Sequence, residues 1–423
     1  MRTILSAIQW AIFMIVGTIV APIAIADSFD LNSMETAGLL QRTIFVLGLA
    51  SLLQVLFGHK LPINEGPAGL WWGIFIIYAS IGPSLYGSTN ETFQALGMGM
   101  LSSGLIFIIL SLFRLINKLA YFFTPLVTGV YLLLLVFQLS GSFLKGMLGI
   151  GYKGTQHVNM IVAILCLTIV VISMLIFRLG NDFFRQYSIL FSLLFGWMIF
   201  IVFGQSKHVS VPNDLFSFPT LFAFGQPKWD TGIFITSFLI TILLLTNLIA
   251  SIQLVQQVTD RSQNEGRYKQ SGFVAGINHI IAGVFSAIGS VPISGAAGFI
   301  KTTNIKNRLP FIIGSIIVLL TSFSPILMTV FASLPAPVGY AAIFVIFSSM
   351  ISLAFDQFAK IEEEKRSHFI IGISLFIGVG LMFTPATAFE KTSPIMTSLL
   401  SNGLVLGTLI AIVLECTIKK IIP

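Results

Sequence analysis

Apolar runs of about 17–25 residues, each long enough to cross a bilayer as a helix, follow one another along nearly the whole chain. They predict spans at 4–26, 40–57, 69–83, 92–113, 119–140, 158–178 and 187–204. A second set follows at 232–257, 270–288, 290–304, 309–330, 339–356, 367–383 and 394–417. That makes fourteen, with the third and tenth short and interrupted. The tenth and its approach are the most informative, because Gly283 to Thr303 is an apolar stretch broken in its middle by Gly289, Ser290, Pro292, Ser294 and Gly295. Non-helical backbone at membrane depth leaves amides unpaired, so it survives only where it is buried in protein or lines a cavity. In secondary transporters such breaks sit at the substrate site, and the following half-helix points its N–H groups at the ligand. A long loop between two ordinary spans, or a Pro kink without function, is the plainer alternative for this segment taken alone.

Composition agrees with the pattern. Hydrophobic residues make up 56% of the chain, charged ones 9%, and mean hydropathy is +0.96, which excludes an ordinary soluble domain. Charge placement tests the span count. With the N-terminus in the cytoplasm, 17 of the 23 Lys and Arg fall on that side. Only Arg42, Lys145, Lys153, Lys207, Lys228 and Lys391 fall outside. The positive-inside rule requires that asymmetry, and one miscounted span would scramble it. Both termini are therefore expected in the cytoplasm. The net charge of +7 needs no nucleic-acid partner, since it is loop charge facing an anionic leaflet. Arg2, an apolar run and Ala24-Ile-Ala26 imitate a signal peptide, but the run is too long for one and cleavage would invert the charge split. Cys166 and Cys416 both fall in spans, which argues against a disulfide framework. Asn90-Glu91-Thr92 is a formal glycosylation sequon of low specificity.

The chain repeats itself. Pro125-Leu-Val-Thr-Gly129 opens the fifth span, and Pro335-Ala-Pro-Val-Gly339 opens the twelfth, 210 residues later. The same offset carries Pro83, in the short third span, to the neighbour of Pro292, in the short tenth. Each half (1–206 and 207–423) holds seven spans, an odd number, so the halves must lie inverted in the membrane. Paired interrupted segments in inverted halves point to a binding site.

These residues carry a family resemblance that covers the chain and is densest from Asn247 to Leu353. The sequence resembles the nucleobase–ascorbate transporters, which include bacterial uracil and xanthine permeases. Their fingerprint in the tenth span has a Gly and a Thr at the separation of Gly298 and Thr303. Asn307-Arg-Leu-Pro310 and Ser333-Leu-Pro-Ala-Pro-Val-Gly339 are also much like family members. So are Gln9, Gly17 and Pro22 of the first span, where Trp10 stands for the family's His. Ser80-Ile-Gly-Pro83 resembles the break of the third span. The resemblance implies an all-α polytopic membrane protein of fourteen segments in a 7+7 inverted repeat. Spans 3 and 10 would contain short strands that meet at mid-membrane. A core domain from spans 1–4 and 8–11 would face a gate domain from spans 5–7 and 12–14, through which family members often dimerise.

The departures matter more than the matches. The family usually carries a carboxylate in the eighth span, where this chain has Ala250 in Asn247-Leu-Ile-Ala-Ser251-Ile-Gln253. Gly295 and Ala296 replace the family's Gln or Glu and its Asn in the tenth. A carboxylate inside the membrane is costly, usually functional, and what a symporter protonates. Asp260, Glu265, Asp356, Glu362-Glu-Glu364 and Glu415 all sit at span ends, in loops or peripherally, so none is an evident substitute. The coupling ion, H+ or Na+, is left open, as is simple facilitation, and no other cofactor is expected.

What remains at the expected site is neutral and polar. Gln9, Tyr78, Ser80, Asn247, Ser251, Gln253 and Ser294 offer donors and acceptors around Ala250, Gly295 and Ala296, with Trp10 as a stacking face. Amide side chains can pair with a base edge. A half-helix N-terminus without its carboxylate favours an anionic or neutral ligand over a cation; Lys301 either adds to that field or snorkels to the surface. Gln253 can equally serve a helix–helix hydrogen bond. There is no phosphate-binding loop with Lys. The five histidines lack metal-ligand spacing, and no Ser-His-Asp set can share one face, so an enzyme is not expected. The leading reading is a plasma-membrane permease for a nucleobase: a purine such as xanthine, hypoxanthine or guanine, or uracil. An anion carrier of the sulfate type on the same fold is the alternative, marked by chloride or sulfate sensitivity and by loss of transport in Lys301→Ala. A non-transporting membrane sensor, which would bind ligand without passing it, is the third.

Overall fold

The computed structural model describes residues 2–116, 122, 124–155, 157–181, 184, 188–206, 212–259, 266–362, 364–385, 388, 400 and 403–418. The first half contains α1 Arg2–Ser28, α2 Ser33–Leu56, β1 Glu65–Pro67, α3 Gly69–Tyr86, α4 Thr89–Leu112, α5 Pro125–Met147, α6 Met160–Leu179 and α7 Ser188–Val202. The second contains α8 Thr231–Val258, α9 Gly266–Val284, β2 Ser290–Pro292, α10 Gly295–Thr303, α11 Arg308–Thr321, α12 Pro325–Ala332, α13 Ala336–Phe358, α14 Glu364–Met382 and α15 Gly403–Ile418. This is an all-α polytopic membrane protein, with one helix at each expected span and two at the eleventh. That span, expected as one run over 309–330, is bent by 88° between α11 and α12. Ser324 starts the second piece, its hydroxyl facing the Leu327 N–H, and Pro325 cannot continue the first.

Helix starts follow from local chemistry. Asn32 caps α2 in a reciprocal box with Glu35, Thr124 caps α5 just before Pro125, and Asp230 caps α8. Seven described helices are by themselves long and apolar enough to span a bilayer, and the bent pair makes an eighth. α9 falls short because Arg267, Lys269 and Gln270 stand in its first turns and Asn278 and His279 in its middle, the last two buried inside the protein and not turned to lipid.

Packing repeats with the halves exchanged. α4 packs on α9 as α2 packs on α11, and α1 packs on α11 as α8 packs on α4. Likewise α6 meets α7 as α14 meets α15, and α13 meets α6 as α5 meets α14. Moving each member seven spans along turns one contact into the other, which is what an inverted repeat requires. The α4–α9 crossing is tight because glycines face each other. A Cβ on Gly104 would lie 2.6 Å from the Gly276 carbonyl oxygen, and one on Gly283 would lie 3.0 Å from that of Gly97.

The strands pair antiparallel, Glu65 opposite Pro292, Gly66 opposite Val291 and Pro67 opposite Ser290. Their place corrects the expected repeat landmark. The third span breaks before its helix, at Pro67, not at Pro83, and the Pro67-to-Pro292 offset is 225 residues. Pro83 sits inside α3, where its missing N–H costs one bond near the last turn before Gly87 ends the helix in a left-handed conformation.

Candidate substrate site

The broken backbone of residues 283–295 is satisfied by the other half of the chain. After α9 ends, Ala287 N–H donates to the Ala282 carbonyl and Ser286 turns the chain at φ 47°. The Ala68 N–H donates to the Gly289 carbonyl, β1 pairs with β2, and the Ile293 N–H donates to the Asn64 carbonyl. Pro is tolerated in both strands because each has only one neighbour and a free edge. β2 is anchored from a third side by α8. Ser251 Oγ donates to the Pro292 carbonyl at 2.8 Å, and Asn247 Oδ1 lies 3.3 Å from the same hydroxyl.

α10 then starts at Gly295 with no side-chain cap from Ser294. The Ala296 and Ala297 amides turn back to the Ile293 and Ser294 carbonyls. Among the described residues no carbonyl takes the Ser294 or Gly295 amide, and both residues are exposed. The positive end of the half-helix is thus open to a ligand. The half-helix closes at Asn304, in the left-handed region that Asn tolerates.

Aromatic rings form one wall. Trp10 is fully buried, 4.2 Å from Phe299 and 5.0 Å from Phe311 between ring centroids. Phe13, one turn further along α1, is only half-buried, packs on Phe299 at 4.6 Å and lies 3.9 Å from where a Cβ on Gly295 would be. Gly17 continues that stripe, and a Cβ there would meet nothing within 4 Å. The next turn, at Val20, meets Gly339 of α13. The face of α1 carrying Gln9, Phe13 and Gly17 therefore borders open space between α10 and α13. Gly73, in the first turns of α3, is equally unobstructed.

Most of the expected residues gather here. Asn247, Ser251, Ser294, Gly295 and the buried Ala296 surround the sheet and the start of α10, and the half-buried Gln9 lies one turn before Phe13 on the same face of α1; the side chains of Ala250 and Lys301 lie outside the described residues. Trp10 underlies the wall instead of facing the opening, which leaves the half-buried Phe13 as the ring nearer to it. Tyr78 and Ser80 do not join the group. They lie roughly 14 Å or more along α3 from its start, Tyr78 stacked on Tyr86 and Ser80 donating to the Ile77 carbonyl. Gln253, two residues past Ser251, points to the exposed side of α8. Of the acids weighed, Asp260 and Glu265 lie outside the described residues, and Glu415 is bonded by Thr124 between α5 and α15. A hollow on the outer face of α14, lined by His368, Phe369, Gly372, Ile373, Phe376 and Ile377, is an apolar surface suited to lipid and far from this chemistry.

One residue escaped the sequence reading. Glu65, which reads as a loop carboxylate between two spans, is 1% exposed in β1. Its N–H donates to Ser51 Oγ of α2, while neither carboxyl oxygen has a hydrogen-bond partner among the described residues. The signal that could have found it is the Pro-x-x-Glu-Gly-Pro run, whose Glu65-Gly-Pro67 matches Ser290-Val-Pro292 in length and place before a half-helix.

Comparison with known proteins settles the family. The Permease family, that of the xanthine and uracil permeases, matches residues 1–387. The chain belongs to that family. This permease is 47% identical over 418 residues to YwdJ of Bacillus subtilis (strain 168), a purine permease by its name, covering 97% of this chain and 95% of that one. It is 24% identical over 420 residues to the xanthine permease of the same organism, covering 98% and 93%. Among solved structures, the transmembrane domain of the cyanobacterial bicarbonate transporter BicA superposes with a TM-score of 0.64 at 14% identity, covering 98% of each chain. That likeness is one of fold and carries the inverted-repeat architecture with it. The resemblance to nucleobase–ascorbate transporters is borne out.

Proposed function

We propose that this permease moves a nucleobase across the cell membrane by alternating access: a purine such as xanthine, hypoxanthine or guanine, or uracil. The observation that carries the reading is the site itself. Uncapped amides at the start of α10 face open space beside the Phe13 ring, with Gln9 and Asn247 as neutral hydrogen-bonding groups. A planar, uncharged or weakly acidic heterocycle matches that set by stacking and by paired donors and acceptors. The names of the relatives, purine and xanthine permeases, agree with it. The likeness to a bicarbonate transporter is of fold alone and does not favour an anion.

The helix contacts support a core of α1–α4 and α8–α12 facing a gate of α5–α7 and α13–α15, because the strongest packing runs within each set. The charge split supports cytoplasmic termini, and a homodimer through the gate is the arrangement the family suggests. Transport would be driven by a proton or sodium gradient.

The test is uptake of radiolabelled uracil, xanthine, hypoxanthine, guanine and adenine into cells lacking their own permeases, with and without a protonophore. Uptake of one base that collapses with the protonophore is the expected result. No uptake of any base by verified, membrane-inserted protein overturns the reading.

A further inference from the structure

The family's two membrane carboxylates are replaced here by Ala250 and Gly295, yet the structure holds a carboxylate in the strand that backs the site. Glu65 lies in the strand that pairs with β2, directly opposite Pro292, whose carbonyl is held by Ser251. Side chains of opposed residues share one face of an antiparallel pair, and so do residues two apart on a strand. Glu65, Pro67, Pro292 and Ser290 are therefore on one side of the sheet. Gly66 is on the other, toward Ile293. Among the described residues the Ser290 hydroxyl is the one side chain that bears on the carboxyl, though it stops short of a full hydrogen bond, since Ser290 Oγ is itself without a partner there.

Charged and titratable groups on the surrounding elements look elsewhere. Arg42 of α2 lies over the Phe224 ring, and Asp27, in the last turn of α1, lies by Tyr152 and Tyr340. His279 of α9 packs between Phe107 and Trp71 with Nδ1 on the Ala275 carbonyl, and Arg267 and Arg308 bear on His59. No described cation neutralises Glu65. An ionised carboxylate shut away from water without a partner is strongly disfavoured, and a bound proton removes that cost. Asn64 Oδ1, Ser290 Oγ and Trp71 Nε1 are buried around the sheet with no partner either. Trp71 meets the strand at Gly289. A purely structural site would not leave so many polar atoms unpaired.

We propose that Glu65 carries the coupling proton of this permease, in place of the family's absent carboxylates. The carboxyl takes a proton from water on the outer side, forming its O–H bond. It holds that proton while the site is closed and the base is bound, then gives it to water on the inner side. One proton crosses with each base and nothing is oxidised or reduced. The strand pairing links the two events. A charge appearing on Glu65 disturbs β1, and β1 fixes β2 and the Ser294–Gly295 amides through the Asn64-to-Ile293 hydrogen bond.

The proposal rests on the permease reading, and its test separates the two. Glu65→Gln, a neutral mimic of the protonated acid, is compared with wild type for accumulation of base and for counterflow exchange, which needs no net proton movement. The expected result is loss of protonophore-sensitive accumulation with counterflow retained, and partial recovery of accumulation with a shifted pH profile in Glu65→Asp. Accumulation unchanged in Glu65→Gln, or driven by sodium alone in wild type, overturns the proposal. Loss of both accumulation and counterflow in inserted Glu65→Gln protein overturns it as well, by making Glu65 a structural support. A readout independent of the base is the infrared carbonyl band of a buried protonated carboxyl in the purified full chain. It is expected in wild type and absent in Glu65→Gln. Its absence from wild type overturns the Glu65 assignment even if transport is confirmed, whereas its presence with no base taken up would fault the permease reading alone.

Discussion

The hydroxyl of Ser251 in α8 donates to the carbonyl of Pro292 in β2 at 2.8 Å, tying a continuous helix to the strand that precedes the broken one. Pro292 faces β1 at Glu65, so this single bond holds the sheet from the side opposite α2. Ser251→Ala leaves the Pro292 carbonyl buried with one partner fewer. The loss is expected to cost about 1–3 kcal/mol where the acceptor goes unsatisfied. Thermal melting in detergent should fall modestly, and the KM for the base should rise more than kcat falls, because the start of α10 loses its fixed position. Unchanged KM with unchanged melting would show that the bond positions nothing.

Gly66 has no side chain because the chain has no room for one. A Cβ there would lie 2.6 Å from Ile293 Cγ1 and 2.8 Å from its Cδ1. Gly66→Ala is expected to push Ile293, and with it Ser294 and Gly295, at a cost of about 1–3 kcal/mol for overpacking. Uptake should fall further than protein level does. The double variant Gly66→Ala/Ile293→Ala removes the clash, so it should recover uptake relative to Gly66→Ala alone. Failure of that rescue would place the defect in the strand backbone and not in the contact.

Much of this was legible in the sequence, and the gaps have physical causes. The spans showed because a bilayer demands about twenty apolar residues in a row and penalises charge. β2 showed because Gly289, Pro292 and Ser294 interrupt such a run where a plain helix would be expected. β1 did not, because residues 57–68 hold His59, Lys60, Asn64 and Glu65 and read as an ordinary polar loop. Only its pairing with β2 reveals that this polar segment is buried. The same blind spot hid Glu65 and moved the repeat landmark to Pro83. Trp10 and Phe13 illustrate a second limit. On a helix that is apolar all round, a single sequence does not say which ring meets neighbouring helices and which meets open space.

The α4–α9 crossing depends on backbone contact. Cβ atoms on Gly104 and Gly276 would each lie 2.6 Å from the other residue's carbonyl oxygen, which cannot step aside as a side-chain tip can. Gly104→Ala and Gly276→Ala are both expected to lower melting and yield of folded protein, each by more than Gly141→Ala in α5, where a Cβ meets nothing within 4 Å. Fluorescence-detected size exclusion after a heating series provides the measurement. Equal behaviour of the three variants would mean that the helices separate readily and the crossing is not a rigid part of the core.

His59 gives the fold a sensitivity to acid. It is fully buried in the loop after α2, its Nδ1 accepts from the Leu61 N–H, and its carbonyl accepts from Arg267. Burial first, then the positive charges of Arg267 and Arg308, hold its pKa down at about 3, against an ordinary 6.5. The folded protein therefore keeps His59 neutral where an unfolded chain would protonate it. The stability associated with the neutral ring is complete above about pH 6.5, is lost as pH falls from there toward about 3, and changes no further below that. His59→Asn keeps an acceptor for the Leu61 N–H and removes the titration. Its melting temperature should fall less than that of wild type between about pH 6.5 and pH 4, with the two curves differing by a constant above that range. Curves that stay parallel through the acid range would show that His59 is protonated in the folded protein, and that the loop between α2 and β1 opens to water there.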